Sequence, residues 1–253
     1  ELDEANDVNV VGGTIDVADA AAVQDITRYD AVDSGYVIED SAGSVLGDTG
    51  TILDGGVAGV NVVGGPVGAG IGSELSALDG DLQELSGYSS DISFTVSDDA
   101  SAIAGVLAQG DELNNADDVN VVGGTIDVAD AASVQDITRY DAVDSGYVIE
   151  DSAGSVLGDT GTILDGGVAG VNVVGGPVGA GIGSELSALD GDLQELSGYS
   201  SDISFTVSDD ASAIAGVLAQ GDELNNAEDV DVVGGTIDVA AADAVQDITA
   251  YDE

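Results

Sequence analysis

The residues with chemistry to offer are carboxylates. Three acidic groups stand where an apolar run gives way to an alanine-rich stretch: Asp19, Glu39 with Asp40, and Asp98 with Asp99. Their counterparts return later in the chain as Asp130, Glu150, Asp151, Asp209 and Asp210. A hard divalent cation takes about six to eight oxygen ligands, many of them from carboxylates. If these acids lie at stacked strand-to-helix corners, about 4.8 Å apart, a cation between them relieves their repulsion. Calcium is the cofactor that fits such a pattern. Aspartate at the start of a helix is also a good N-cap, so each acid has a structural reading beside the metal one.

Other chemistry is harder to build. The chain has no His and no Cys, which removes imidazole bases, thiolates and the usual zinc ligands. The glycine-rich run VVGGPVGAGIG at 62–72 has no lysine to complete a phosphate loop, because the chain contains no lysine at all. A pair of acids is the minimum for glycoside hydrolysis. Here every acid of the first repeat recurs in a nearly unchanged setting in the second, and an active site rarely needs tandem duplication. The chain therefore reads as a non-enzyme.

Charge narrows the partners. Fifty Asp and Glu face two Arg, giving a net charge of -48 over 253 residues. Such a body repels itself at low ionic strength and repels nucleic acid, whose phosphates need a basic surface. No apolar run is long enough to span a bilayer, so no membrane insertion is expected. The hydrophobic fraction of 43% still provides for a packed core. Arg28 and Arg139, the only cations, are each expected to pair with a carboxylate.

The decapeptide VNVVGGTIDV at 8–17 returns at 119–128, and a close copy, VDVVGGTIDV, stands at 230–239. Segments 8–118 and 119–229 differ at two positions, where Ala22 becomes Ser133 and Asp117 becomes Glu228. Residues 230–253 begin a third copy, and residues 1–7 resemble the end of a preceding one. A shorter echo, VNVVGG, lies at 60–65 and 171–176.

Within a copy the apolar pattern alternates between two periods. Ile92, Phe94 and Val96 are spaced by two, as on one face of a strand. Ile71, Leu75, Leu78, Leu82 and Leu85 follow at steps of four and three, as on one face of a helix. Asp19, Asp40 and Asp98 fall at the strand-to-helix changes. Residues 42–53 carry Val45, Leu46, Ile52 and Leu53, but Gly47 and Gly50 weaken a helix there. The order strand, helix, strand, helix predicts an α/β fold, an elongated solenoid whose strands build a parallel sheet. The alternative is a row of tandem β-sandwich modules, since about 100 residues per repeat also suits that fold.

YVIEDSA at 36–42 and FTVSDDA at 94–100 share the pattern aromatic, any, Val or Ile, any, Asp, any, Ala, each followed by an apolar helix-like stretch. This pattern resembles the repeats of giant acidic surface and secreted proteins of Gram-negative bacteria. The resemblance implies an extracellular or cell-surface location and a part in adhesion, a surface layer or a biofilm matrix. Residues 7–20 also resemble the calcium loop of dockerin-type modules, with Asp7, Asn9, Ile15, Asp16 and Asp19 in matching places if one residue is inserted. The expected function is structural: a stalk, filament or matrix fibre, stabilised by cations and extended by head-to-tail self-association. The alternative is a calcium-dependent adhesin or carbohydrate-binding module with a surface polysaccharide as partner. That alternative needs exposed aromatic rings, which only Tyr29, Tyr36 and Tyr88 of each copy could supply; Tyr36, at the start of a strand, is expected in the core.

Overall fold

A computed structural model describes residues 6–85, 88, 90–196, 199, 201–221, 223–248 and 251. The first copy runs β1 (Val11–Ile15), α1 (Val17–Gln24), β2 (Gly35–Ser41), α2 (Ala42–Gly47), α3 (Thr49–Leu53), β3 (Val57–Val63), α4 (Ala69–Gln83), β4 (Thr95–Asp98) and α5 (Ala100–Leu107). The second runs β5 (Asp118–Ile126), α6 (Val128–Gln135), β6 (Gly146–Ser152), α7 (Ala153–Gly158), α8 (Thr160–Leu164), β7 (Val168–Val174), α9 (Ala180–Gln194), β8 (Thr206–Asp209) and α10 (Ala211–Leu218). The third supplies β9 (Asp229–Val232) and α11 (Val239–Gln246).

The fold is α/β with parallel sheets. Among the described residues the strands form sheets of order β1-β2-β3, β4-β5-β6-β7 and β8-β9. Every described pair is parallel, as expected when a helical segment returns the chain to the same end before each new strand. The β-sandwich alternative does not form, because it requires antiparallel sheets packed face to face. Two compact units can be drawn. One comprises Glu1–Asp98, Ala102–Asn120 and Ile137–Tyr140; the other comprises Asp99–Ser101, Val121–Asp136 and Asp141–Glu253.

The recurring valine–glycine motif is a strand with a built-in irregularity. Alternation buries Val119 and Val121 in β5 and leaves Val122 exposed, so only alternate valines serve the core. The pairing of β1 with β2 shifts register between Val11 and Thr14. Gly12 and Gly13 fill that gap with φ of 74° and 94°, a backbone region costly for a side chain. The same shift recurs between Val122 and Thr125.

In β2 the alternation puts Tyr36 and Ile38 in the core, as expected for that tyrosine. Leu75, Leu78 and Leu82 of α4 are buried, whereas Ile71 is 40% exposed, so the apolar stripe begins one turn into the helix. Residues 42–53 are helical after all. The helix breaks in two at Asp48 (φ -138°, ψ 58°), whose carboxylate then caps α3 by accepting from the Thr51 N–H. Gly47 and Gly50 thus shorten the helices without abolishing them.

Gly72 sets how closely α4 approaches β4. A Cβ there would lie 2.6 Å from Val96 Cγ2 and 3.2 Å from Leu113 Cδ2, whereas one at Gly70 would meet nothing within 4 Å. Gly72→Ala is expected to destabilise the fold by about 1–3 kcal/mol through overpacking. Gly70→Ala is expected to stabilise it by about 0.5–1 kcal/mol through helix propensity. Urea denaturation of the two variants checks both signs.

Candidate functional site

Several of the corner carboxylates accept from backbone N–H groups, and four of them reach back to a helix earlier in the chain. Asp40, at the end of β2, accepts from the Ser41 N–H at 2.7 Å through Oδ1. Its Oδ2 accepts from the Val17 N–H at 3.3 Å, at the start of α1. Asp151 repeats both contacts, with Ser152 at 2.6 Å and Val128 at 3.3 Å. Asp98, at the end of β4, accepts from the Ala69 N–H of α4 at 2.9 Å, and Asp209 accepts from the Ala180 N–H of α9 at 3.0 Å. The residue before α4 is Gly68, which has no side chain to cap with, so Asp98 supplies the acceptor. Space explains the glycine: a Cβ on Gly68 would stand 3.0 Å from Asp98 Oδ2.

The remaining corner acids have local partners. Asp210 caps α10, accepting from the Ser212 and Ala213 N–H groups at 2.8 and 3.0 Å and from the Ser212 hydroxyl. Asp99 accepts from the Ser101 hydroxyl. Glu39 Oε2 accepts from Asn61 Nδ2 at 2.9 Å, and Glu150 does the same with Asn172 at 2.7 Å. Asp19 and Asp130 are not the N-caps of their helices. That place belongs to Asp16 and Asp127, which accept from the Asp19 and Asp130 N–H groups at 2.7 and 2.8 Å. In the first helical turn Asp19 is exposed and Asp130 half-buried.

These contacts favour the ionised form. The Ser41 N–H, then the Ser44 hydroxyl, hold the Asp40 carboxyl below its ordinary value. The Ser212 hydroxyl leads the same effect at Asp210. At Asp151 burial is the largest influence and pushes upward, but the Ser152 N–H, the Ser155 hydroxyl and the Val128 N–H together bring the carboxyl down. Stability from such groups is present above the ordinary carboxyl range and is lost as pH falls through the lowered value.

The geometry does not gather these acids into one cage. Among the described residues no three acidic side chains form a group that could hold a metal ion. The stretch resembling a dockerin calcium loop folds as strand and helix: residues 11–15 are β1, and Asp16 caps α1. Arg28 and Arg139 are exposed. Their visible role is in the backbone, where their carbonyls accept from the Val8 and Val119 N–H groups, each at 2.9 Å.

Among the described residues one acid in each of the first two copies is wholly buried, at a position outside the expected sites. Asp79 and Asp190 are 0% exposed. Asp79 Oδ1 accepts from the Ile92 N–H at 2.6 Å and the Tyr88 hydroxyl at 3.3 Å. Its Oδ2 accepts from Gln83 Nε2 at 2.7 Å and Asn115 Nδ2 at 2.9 Å. Asp190 is bound likewise by Gln194 at 2.7 Å, Ile203 N–H at 2.6 Å and Asn226 at 2.6 Å. The signal was in the helix spacing, since position 79 falls inside the stripe of Leu75, Leu78 and Leu82. This carboxyl ties α4 to the turn before β4 and to the segment carrying Asn115. Burial pushes the Asp79 carboxyl above its ordinary value despite these donors.

Aromatic rings offer no open platform among the described residues. Tyr36 and Tyr147 are in the core, and Gln24 and Gln135 donate to their hydroxyls at 2.9 and 2.8 Å. Tyr29 and Tyr88 are half-buried and donate to the Gly55 carbonyl and to Asp79. No helix among the described residues is long and apolar enough to cross a membrane. Comparison with known proteins gives no match to any family model, curated protein or solved structure.

Two substitutions test the assigned roles. Asp98→Ala is expected to cost about 1 kcal/mol, the usual value of a lost cap, while Asp98→Asn keeps an acceptor and costs less. Asp79→Ala leaves the buried Ile92 N–H without its acceptor and takes one of two acceptors from each of the Gln83 and Asn115 amides, and is expected to cost about 3 kcal/mol. Asp79→Asn carries a pH signature. The raised Asp79 value contributes stability that is full below the ordinary carboxyl range and fades as pH rises through the raised value. The amide variant should flatten that decline in urea denaturation across pH.

Proposed function

We propose that this chain is a segment of a structural extracellular repeat protein, an α/β solenoid that adds length to a stalk, filament or matrix fibre. The observation that carries this reading is the repetition of one contact. Val17 and Val128 N–H groups each meet a strand-end aspartate at 3.3 Å. Ala69 and Ala180 N–H groups do so at 2.9 and 3.0 Å. β2, β4, β6 and β8 are thereby each joined to the preceding segment twice, by parallel pairing and by a carboxylate on the helix N-terminus. Units linked only to their neighbours are the physical basis of a quasi-one-dimensional stack. Near-identity of the copies supports a spacer, in which each repeat adds length and no new chemistry. The half-buried and buried tyrosines favour this over a carbohydrate-binding module.

The extracellular or cell-surface placement, the surface or matrix role and the head-to-tail association belong to this proposal. They draw on the acidic composition and the resemblance carried by residues 36–46 and 94–107. Cations stabilise the array by screening its charge of -48. Calcium is the candidate for any specific sites at Asp19, Glu39, Asp40, Asp98 and Asp99 and their copies.

Small-angle scattering on chains of one, two and three complete copies tests the architecture. Four strands per copy predict an increment of about 19 Å in the maximum dimension for each copy added, at about 4.8 Å per strand. Growth with the cube root of mass would sink the reading. Thermal melts test the cation. High sodium chloride is expected to raise the midpoint as well as calcium does; a sharp rise with calcium that sodium cannot match would establish specific sites instead.

A further inference from the structure

Each of the first two copies has the same cleft, walled by the helix α4 or α9 and by the segment that follows α5 or α10. In the first copy it measures about 270 Å³ and is lined by Ser73, Ser76, Asp111, Glu112 and Asn115, among others. In the second it measures about 300 Å³, and Ser184, Ser187, Glu223 and Asn226 stand in the same places. Exposure is graded across it. Asp111, Glu112 and Glu223 are exposed, whereas Ser73 and Asn115 are half-buried. Ser76 and Ser187 are 7% exposed, and their hydroxyls are buried with no hydrogen-bond partner among the described residues. Buried polar atoms are nearly always bonded. An unpaired hydroxyl repeated in the wall of a cleft therefore marks a place for a ligand.

We infer that this cleft binds a primary ammonium group, which donates to the Ser76 hydroxyl and pairs with the Glu112 carboxylate, and likewise with Ser187 and Glu223. The remaining wall supports that chemistry. Asn115 commits its Nδ2 to the Ser76 carbonyl at 3.3 Å and to Asp79 at 2.9 Å, so Oδ1 is the end of its amide left to accept. Asn226 commits its Nδ2 to Asp190 in the same way, at 2.6 Å. The polar side chains of the wall thus offer oxygens: carboxylates, hydroxyls and an amide carbonyl. An ammonium carries N–H donors and no acceptor, which is the complement of such a wall. The alkyl stem behind it can lie along the exposed Ala77, which also lines the cleft.

Charge narrows the ligand further. A phosphate or carboxylate is repelled by a chain of net charge -48. A divalent ion takes about six to eight oxygens, many from carboxylates, and among the described residues no group of three acids could hold a metal. A singly charged donor suits the few carboxylates of this wall better. These copies contain no lysine, so they do not fill their own clefts. One cleft per copy lets a ligand with several ammonium groups engage neighbouring copies together. The inference goes beyond the spacer reading and does not depend on it.

The test is an NMR titration of the full chain with putrescine and with a capped Gly-Lys-Gly peptide. Both are expected to shift the Ser76, Asn115, Ser187 and Asn226 amides saturably. Tighter binding by putrescine assigns the cleft to free amines, and tighter binding by the peptide assigns it to a basic polypeptide. The same peptide with a trimethylated lysine keeps the charge and loses the N–H donors, so it should bind at least about tenfold more weakly. Ser76→Ala combined with Ser187→Ala should weaken putrescine binding at least about fivefold. The urea midpoint of that variant should not fall, because the hydroxyls have no bond to lose. The inference is overturned if no saturable shift appears, or if the alanine variant binds putrescine as well as the parent chain does. Equal binding of the trimethylated peptide also overturns it, since the acids would then be attracting charge without a built site. None of these results alters the length added per copy, so failure here is separable from failure of the solenoid reading.

Discussion

An excess of carboxylates with almost no cations to meet them is the constraint that shapes this protein. With two arginines for 50 acids, ion pairing cannot neutralise the surface. The chain instead turns its acids toward the one positive feature that every helix provides, the unpaired N–H groups of its first turn. Asp16 and Asp48 serve their own helices. Asp40 and Asp98 serve the preceding unit's helix, so the same contact that accommodates a charge also fixes a strand against its neighbour. These acids thereby connect strand to helix.

The buried Asp79 follows the same chemistry in a drier place. Four donors converge on it, and burial still raises its proton affinity. Asp40, Asp151 and Asp210 are displaced the other way. Acidification thus acts on the fold in two senses: it relieves Asp79 and the general repulsion, and it weakens the caps that hold units together. Lone carboxylates buried in a helix stripe are expensive unless fully bonded. The role visible for this one is to fasten α4 to the segments that carry Ile92 and Asn115.

The repeat and the element types were legible because periodicity survives in the letters. Ile92, Phe94 and Val96 alternate, and Leu75, Leu78 and Leu82 recur at helical steps; both sets are buried. The helices at 42–53 were obscured by Gly47 and Gly50, whose low propensity does not outweigh burial of Val45 and Ile52 and capping by Asp48. Asp40 and Asp98 stand at the ends of β2 and β4, but their partners were not legible. Asp40 and Val17 are 23 residues apart, and Asp98 and Ala69 are 29 apart. Contacts of that span depend on which units are neighbours, which local spacing does not encode. Asp79 could have been found, since an acid inside a leucine stripe must be either exposed by a helix rotation or buried with donors.

Helix N–H groups hold the strand-end carboxylates, Val17 that of Asp40 and Ala69 that of Asp98. A carbon-detected NMR titration of the aspartate carboxyls in excess chelator tests this most directly. The Asp40 resonance is predicted to titrate below the ordinary aspartate range with no divalent ion present, and the Val17 amide shift should follow the same transition. An ordinary Asp40 titration in chelator, lowered only when calcium is restored, would contradict the account and make these corners metal sites.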